Sequence, residues 1–254
     1  MYKELRICVR PSDEEFIWRF MDLSKLLYIL AHQALPFVRL DLFEDKFEGY
    51  IPKGNIIVPT DLKEIPPDQQ TLTAERINRN NRKLARNARK IIFVNCWHIN
   101  EHESAAMWKL YLQSPEGVAI RSTFGRLKDS FRDAPQEVEI GKVEYLDYQT
   151  ARVETAIIDQ MALIMRKRKS FEYEQELRTI HWDRTEAMDI IRGTRDENSK
   201  EIIPIPVHLD TLMETVFVAP TSRPSYKPLV KSVLEKYGFD KQVQQSSLAE
   251  DPIW

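Results

Sequence analysis

The sequence predicts a single α+β domain in which a mixed sheet of short strands packs against helices. Three observations lead there. Apolar residues recur at every second position in some segments and at three- and four-residue spacing in others. The two kinds of segment alternate too irregularly for a doubly wound parallel sheet. Hydrophobic residues make up 43% and charged residues 30% of the chain, enough for one sizeable core, and no repeat or domain boundary interrupts residues 1–254.

Residues 1–15 read as a lead-in. A strand is expected at 16–21, with Arg19 set among aromatic residues. Asp22 or Ser24 can cap the helix at 25–32, whose buried face carries Leu26, Leu27 and Leu30. A second strand occupies 36–40 and an acidic loop 41–49. Prolines at 52, 59, 66 and 67 keep 50–70 out of helix, a polar helix is expected over about 68–90, and 91–97 is the clearest buried strand. Asn100 is expected to cap a helix that runs through Tyr111. Turn chemistry at 115–117 leads to a strand at 118–123, a short helix at 124–131 and a longer strand at 138–148. The segment 151–168 reads as an amphipathic helix and 169–182 as an extended strand. A polar loop or flap at 183–200, strands at 202–207 and 216–218, a helical turn at 208–214 and a helix at 225–237 follow. Gly238 ends the last helix.

Composition narrows the function. The net charge of −2 gives no whole-molecule attraction for a polyanion, so any basic surface is local. Cys8 and Cys96 belong to no Cys-x-x-Cys pair and suit a reducing compartment. The start lacks the apolar stretch of a signal peptide, and no apolar run reaches the roughly 18 residues that suggest a membrane span. A cytoplasmic protein without a membrane partner is expected. Seven glycines leave little room for a phosphate loop, and neither a Walker motif, a Gly-x-Gly-x-x-Gly nor a nucleophile elbow is present. That argues against a P-loop nucleotidase or a Rossmann dehydrogenase.

The chemistry concentrates in 169–182. Glu172, Glu174, Glu176 and Arg178 stand at alternate positions, so an extended chain puts all four on one face. Glu172 is the expected solvent-facing member. Directly before them lies the basic cluster 165–169, which can hold the carboxylates ionised, bind a phosphate, or simply be a solvated helix end.

Four blocks together resemble the bacterial domain of unknown function 2971 family. The first is Trp18, Arg19 and Phe20 with the leucine-rich helix and the strand after it. The second, from Asp45 through Phe47 and Glu48 to Gly49, is similar to the family's Asp-Pro-Phe-Glu-Gly turn, with Lys46 in place of proline. The third comprises Trp97, 107–111 and 116–120. The fourth is 169–178, with Phe171 where the family has tryptophan. The resemblance covers roughly 16–247. The family's name records that its activity is not established.

The order of Arg19, the Ser122–Thr123 pair and Glu174-x-Glu176 also resembles that of the ADP-ribosyltransferases. That resemblance implies NAD as substrate. Arg19 would hold the dinucleotide phosphate, Ser122 and Thr123 would shape the pocket, and Arg178 would belong to the same block. Glu176 would stabilise the oxocarbenium-like state and Glu174 would assist the acceptor, a nucleic acid or a protein, in a defence or toxin setting. A structural ion network of Glu174, Glu176 and Arg178 on a sheet edge explains the same residues without catalysis. Trp97, Trp108 and Tyr111 are core packing or, for a ligand, a stacking surface for a nicotinamide or adenine ring.

Two other constellations remain open. Arg76, Arg79, Arg82, Lys83, Arg86, Arg89 and Lys90 oppose one acid, Glu75, across the helix at 75–90. Arg76, Arg79, Lys83, Arg86 and Lys90 recur at three- and four-residue spacing and form a basic stripe suited to a non-catalytic nucleic-acid-binding module, or a solvated face. His98, Glu101 and His102 match His-x-x-Glu-His, the pattern of a metal-dependent hydrolase. The strand at 91–97 runs into His98, however, and no metal is expected.

Overall fold

Alternating apolar side chains build most of the sheet. The computed structural model describes residues 1–4, 9–112, 114–153, 160–185, 187–192, 194 and 200–250. Its strands are β1 (Tyr2–Glu4), β2 (Phe16–Asp22), β3 (Ala34–Arg39), β4 (Ile92–Ile99), β5 (Gly117–Thr123), β6 (Val138–Lys142), β7 (Glu144–Leu146), β8 (Arg166–Arg168), β9 (Glu176–Trp182), β10 (Ile202–Pro206), β11 (Thr215–Val218) and β12 (Gln242–Gln245). The helices are α1 (Leu23–His32), α2 (Pro67–Ala88), α3 (Ala105–Tyr111), α4 (Phe124–Ser130), α5 (Gln160–Ile164), α6 (Ala187–Arg192), α7 (Leu209–Leu212) and α8 (Tyr226–Lys236). Together they form the expected α+β domain with a mixed sheet.

The sheet runs β1-β6-β9-β4-β2-β5-β11-β12, with β3 and β10 attached beside β4. The β1–β6 and β11–β12 pairs are parallel and the other pairs antiparallel. Period two sorts the side chains. Ile17 and Met21 of β2 join Phe93 and Trp97 of β4 in the largest apolar cluster, with α1, α4 and α8. Trp18 and Phe20 turn to the opposite face, against Met107 and Trp108. On α1 the buried residues are Leu26, Ile29 and Leu30, whereas Leu27 is only half-buried.

One irregularity positions everything that follows. On one side β4 pairs with β9 along its length, from Ile92 to His98. On the other side it pairs with β3 at Phe93 and Val94, and with β2 at His98 and Ile99. Strands β2 and β3 therefore diverge, and residues 95–97 of β4 face the gap between them. Buried backbone groups need partners, and here side chains supply some of them. Arg19 Nη1 donates to the Cys96 carbonyl at 2.6 Å and to Asn95 Oδ1 at 3.0 Å, while Asn95 Nδ2 donates to the Pro36 carbonyl at 2.8 Å.

Five expectations need correction. The 151–168 helix is confined, among the described residues, to α5, and 166–168 is strand β8; 154–159 lie outside the described residues. Asn100 does not cap α3; Ser104 does, accepting from the Met107 amide. The 138–148 strand breaks at Val143 into β6 and β7. Residues 169–174 are a 3-10 helix rather than a strand, and 183–200 contains α6; residues 186, 193 and 195–199 lie outside the described residues.

Candidate functional site

The 3-10 turn changes how the carboxylates meet. Glu172 is exposed and leaves the group, whereas Glu174 and Glu176 are both buried. Between them Gln175 takes the left-handed conformation, φ 39°, which is rare for a residue other than glycine. That kink joins the 3-10 helix to β9 and brings both carboxylates to the Lys167 ammonium, at 2.7 Å and 3.2 Å. Alternation along a strand is therefore not what unites them.

Around Lys167 lies a buried charge cluster. Lys167 also reaches Glu48 at 3.3 Å, and Arg178, fully buried, pairs with Glu48 at 2.6 Å and with Glu176 at 2.8 Å. Arg178 further donates to the Ile164 carbonyl. Three carboxylates thus share two cations. Burial pushes Glu176 up, but the charges of Arg178 and Lys167 overcome it and hold the carboxyl at about 2. Glu174 has only Lys167, and burial leaves it above the usual carboxylate value. Burial alone would drive the two cations down, yet the surrounding glutamates hold both above their ordinary values.

The turn at 45–49 delivers Glu48. Asp45 accepts a forked pair of hydrogen bonds from Arg168, at 2.8 and 3.1 Å, and Arg168 stacks over Phe47 and Phe171. Gly49 adopts φ 73°, and a Cβ there would meet the Arg89 side chain at 3.2 Å. The 165–169 cluster is accordingly no solvated helix end. Lys167 and Arg168 are ion-paired within the fold.

A cleft of about 520 Å³ opens beside this cluster, over the gap between β2 and β3. Its volume lies in the range of small-molecule sites. Arg19, Cys96, His98, Tyr111, Glu174 and Glu176 line it, with aromatic wall from Trp18, Phe20, Tyr28 and Phe43. Among the described residues no carboxylate pairs with Arg19, and its Nε has no hydrogen-bond partner. Burial lowers the arginine from its ordinary value. Burial, with the Glu176 charge nearby, pushes the Cys96 thiol well above an ordinary thiol and disfavours its thiolate.

Some residues expected at one site are apart. Ser122 is fully buried and donates to the Leu212 carbonyl at 2.5 Å, and Thr123 caps α4 by accepting from the Arg126 amide. Neither lines the cleft. Trp108 packs edge-on against Phe20 and donates to Glu103 at 3.0 Å, away from the cleft wall that Met107 and Tyr111 supply. Arg178 stands behind Glu176 and reaches the cleft only through it. His98 is buried on β4 while Glu101 and His102 lie exposed in a bend, so the helical spacing a zinc pair needs is missing. Among the described residues no cluster could hold a metal ion. On α2 the side chains of Arg76, Arg79, Arg82, Lys83 and Arg86 are exposed, whereas Arg89 is buried against Tyr50.

Sequence reasoning missed Glu48 and the buried role of Lys167, and it weighed His98 only as a metal ligand. The signal available was that 45–49 and 169–178 are both blocks of the same family resemblance. No helix among the described residues is long and apolar enough to cross a membrane. Compared with known proteins, the chain matches no family model, and neither a curated protein nor a solved structure is similar to it.

Proposed function

We propose that the cleft binds NAD and cleaves its nicotinamide–ribose bond in the manner of an ADP-ribosyltransferase. One observation carries the reading: Arg19, Glu174 and Glu176 line a single cleft. Arg19, a cation without a carboxylate partner among the described residues, is suited to a phosphate. Glu176, held ionised, is suited to the positive charge that develops on the ribose as the bond breaks. The aromatic wall offers stacking for a planar ring. Ser122 takes no part in this version of the site, and the acceptor is a nucleic acid or a protein.

The test is nicotinamide release from NAD, followed by chromatography. The wild-type protein releases it, and Glu176→Gln, which keeps the volume and removes the charge, lowers the rate by about 100-fold or more. Absence of release and of NAD binding at millimolar concentration removes the reading.

A second reading has its own observation. The five exposed cations of α2 have no ion pair among the described residues, and three- and four-residue spacing sets them along one face. That face fits the phosphates of a nucleic acid. Salt-dependent retention of RNA or DNA that survives Glu176→Gln but not combined charge reversal of Arg79, Lys83 and Arg86 supports it; retention unchanged by the reversal ends it.

A further inference from the structure

His98 has no role in the site as described so far, yet its environment is the most specific in the cleft. It is 6% exposed. Its Nδ1 lies 2.6 Å from the Glu174 carbonyl oxygen, which can only accept, so Nδ1 carries the proton. The remaining nitrogen, Nε2, therefore bears a lone pair, and it is buried with no hydrogen-bond partner among the described residues. Native structures leave few buried polar groups unpaired. Arg19 Nε and Trp97 Nε1, two donors, are in the same condition along the same cleft. One acceptor and two donors left open in one cavity describe a site prepared for a polar ligand.

Topology places His98 beside the carboxylate that the proposed reaction needs. In the β4–β9 ladder His98 is directly opposite Glu176. Facing residues in an antiparallel pair have Cβ atoms about 4.5–5.5 Å apart on one face. The titratable groups around the imidazole are Glu174 and Glu176 across the ladder, Lys167 and Arg178 behind them, Cys96 two residues along β4, Tyr111 on α3 and Arg19 on β2. Burial favours the neutral ring at rest. Once protonated, the ring gains from the surplus carboxylate of the Glu48–Glu174–Glu176 group.

We infer that His98 Nε2 is the proton acceptor that activates the attacking group, and that this group is a hydroxyl or water. The inference rests on the NAD reading. In the step, the acceptor oxygen bonds to the ribose carbon as the glycosidic C–N bond breaks. The bonding pair leaves with nicotinamide and neutralises its ring charge. The acceptor's proton passes to Nε2, and Glu176 faces both the cationic ribose and the new imidazolium. Glu174 thereby becomes a positioning residue, since its backbone carbonyl fixes the histidine tautomer.

The test uses His98→Asn, which keeps a donor for the Glu174 carbonyl and lacks the second ring nitrogen. Loss of a general base lowers kcat by roughly 100-fold, with KM for NAD held within about threefold because ground-state binding is untouched. The acidic limb of the wild-type pH–rate profile disappears in the variant, and added imidazole restores part of the rate. A variant with wild-type rate and profile overturns the inference while leaving the NAD reading intact. NAD left uncleaved by the wild-type protein overturns both. Should the variant fail to fold, ¹⁵N spectra of the wild-type imidazole decide: a ring protonated at Nδ1 whose Nε2 signal moves on adding NAD is expected, and a ring protonated at Nε2 refutes it.

Discussion

Replacing Arg178 by methionine probes the charge cluster most sharply. The guanidinium is fully buried and holds Glu48 at 2.6 Å and Glu176 at 2.8 Å. Without it, three buried carboxylates share Lys167 alone. Removing one partner of a buried ion pair costs about 3–5 kcal/mol, a large part of the roughly 5–15 kcal/mol that keeps a domain folded. With a urea m-value near ~3 kcal/mol/M for a chain of this size, ~4 kcal/mol moves the unfolding midpoint down by about 1.3 M. Arg178→Lys keeps the charge but loses the forked geometry, and falls between wild type and methionine. Adding Glu48→Gln to Arg178→Met removes a charge that the first change stranded, so the pair is less than additive by about 1–3 kcal/mol. Urea unfolding at pH 7 reads all five proteins, the Glu48→Gln single variant included. A midpoint shift below about 0.3 M for Arg178→Met, or strict additivity with Glu48→Gln, refutes the reasoning.

Two further outcomes follow from the same residues. Glu176 is depressed in the folded protein to about 2, so its contribution is complete above the unfolded value near 4.5 and is lost as pH falls toward 2. The stability gap between wild type and Glu176→Gln should shrink by roughly 3 kcal/mol across that window, and a gap independent of pH contradicts the depression. Glu174 has the opposite sign: raised by burial, its ionisation costs stability as pH climbs above 4.5, so Glu174→Gln gains on wild type from there upward. At Gln175, φ 39° penalises a β-branched side chain; Gln175→Gly should exceed Gln175→Val in stability by about 2 kcal/mol by thermal unfolding, and equal stabilities dispose of the strain.

Much of the fold was legible because period two and period 3.6 are written plainly in β2, α1, β4, α2 and α8. The segment 165–176 was not, and the reason is local. Its alternating glutamates imitate a strand, while Gln175 in a left-handed conformation carries no compositional signature as glycine would. Ser122 and Thr123 look like pocket residues from order alone. Their hydroxyls are taken by Leu212 and by the first turn of α4, a demand set by tertiary packing. Arg19 was recognisable as unusual among aromatics. What sequence could not show is that β2 and β3 part over residues 95–97 and that Arg19 fills the breach.

The central claim is that this breach is a dinucleotide site with Arg19 at one wall and Glu176 at the other. A crystal structure of the wild-type protein with a non-cleavable carbocyclic NAD analogue tests it most directly. The pyrophosphate is expected within hydrogen-bonding distance of Arg19 and the nicotinamide-bearing ring beside Glu176 and His98. An analogue bound outside the cleft, or a cleft left empty at saturating analogue, contradicts it.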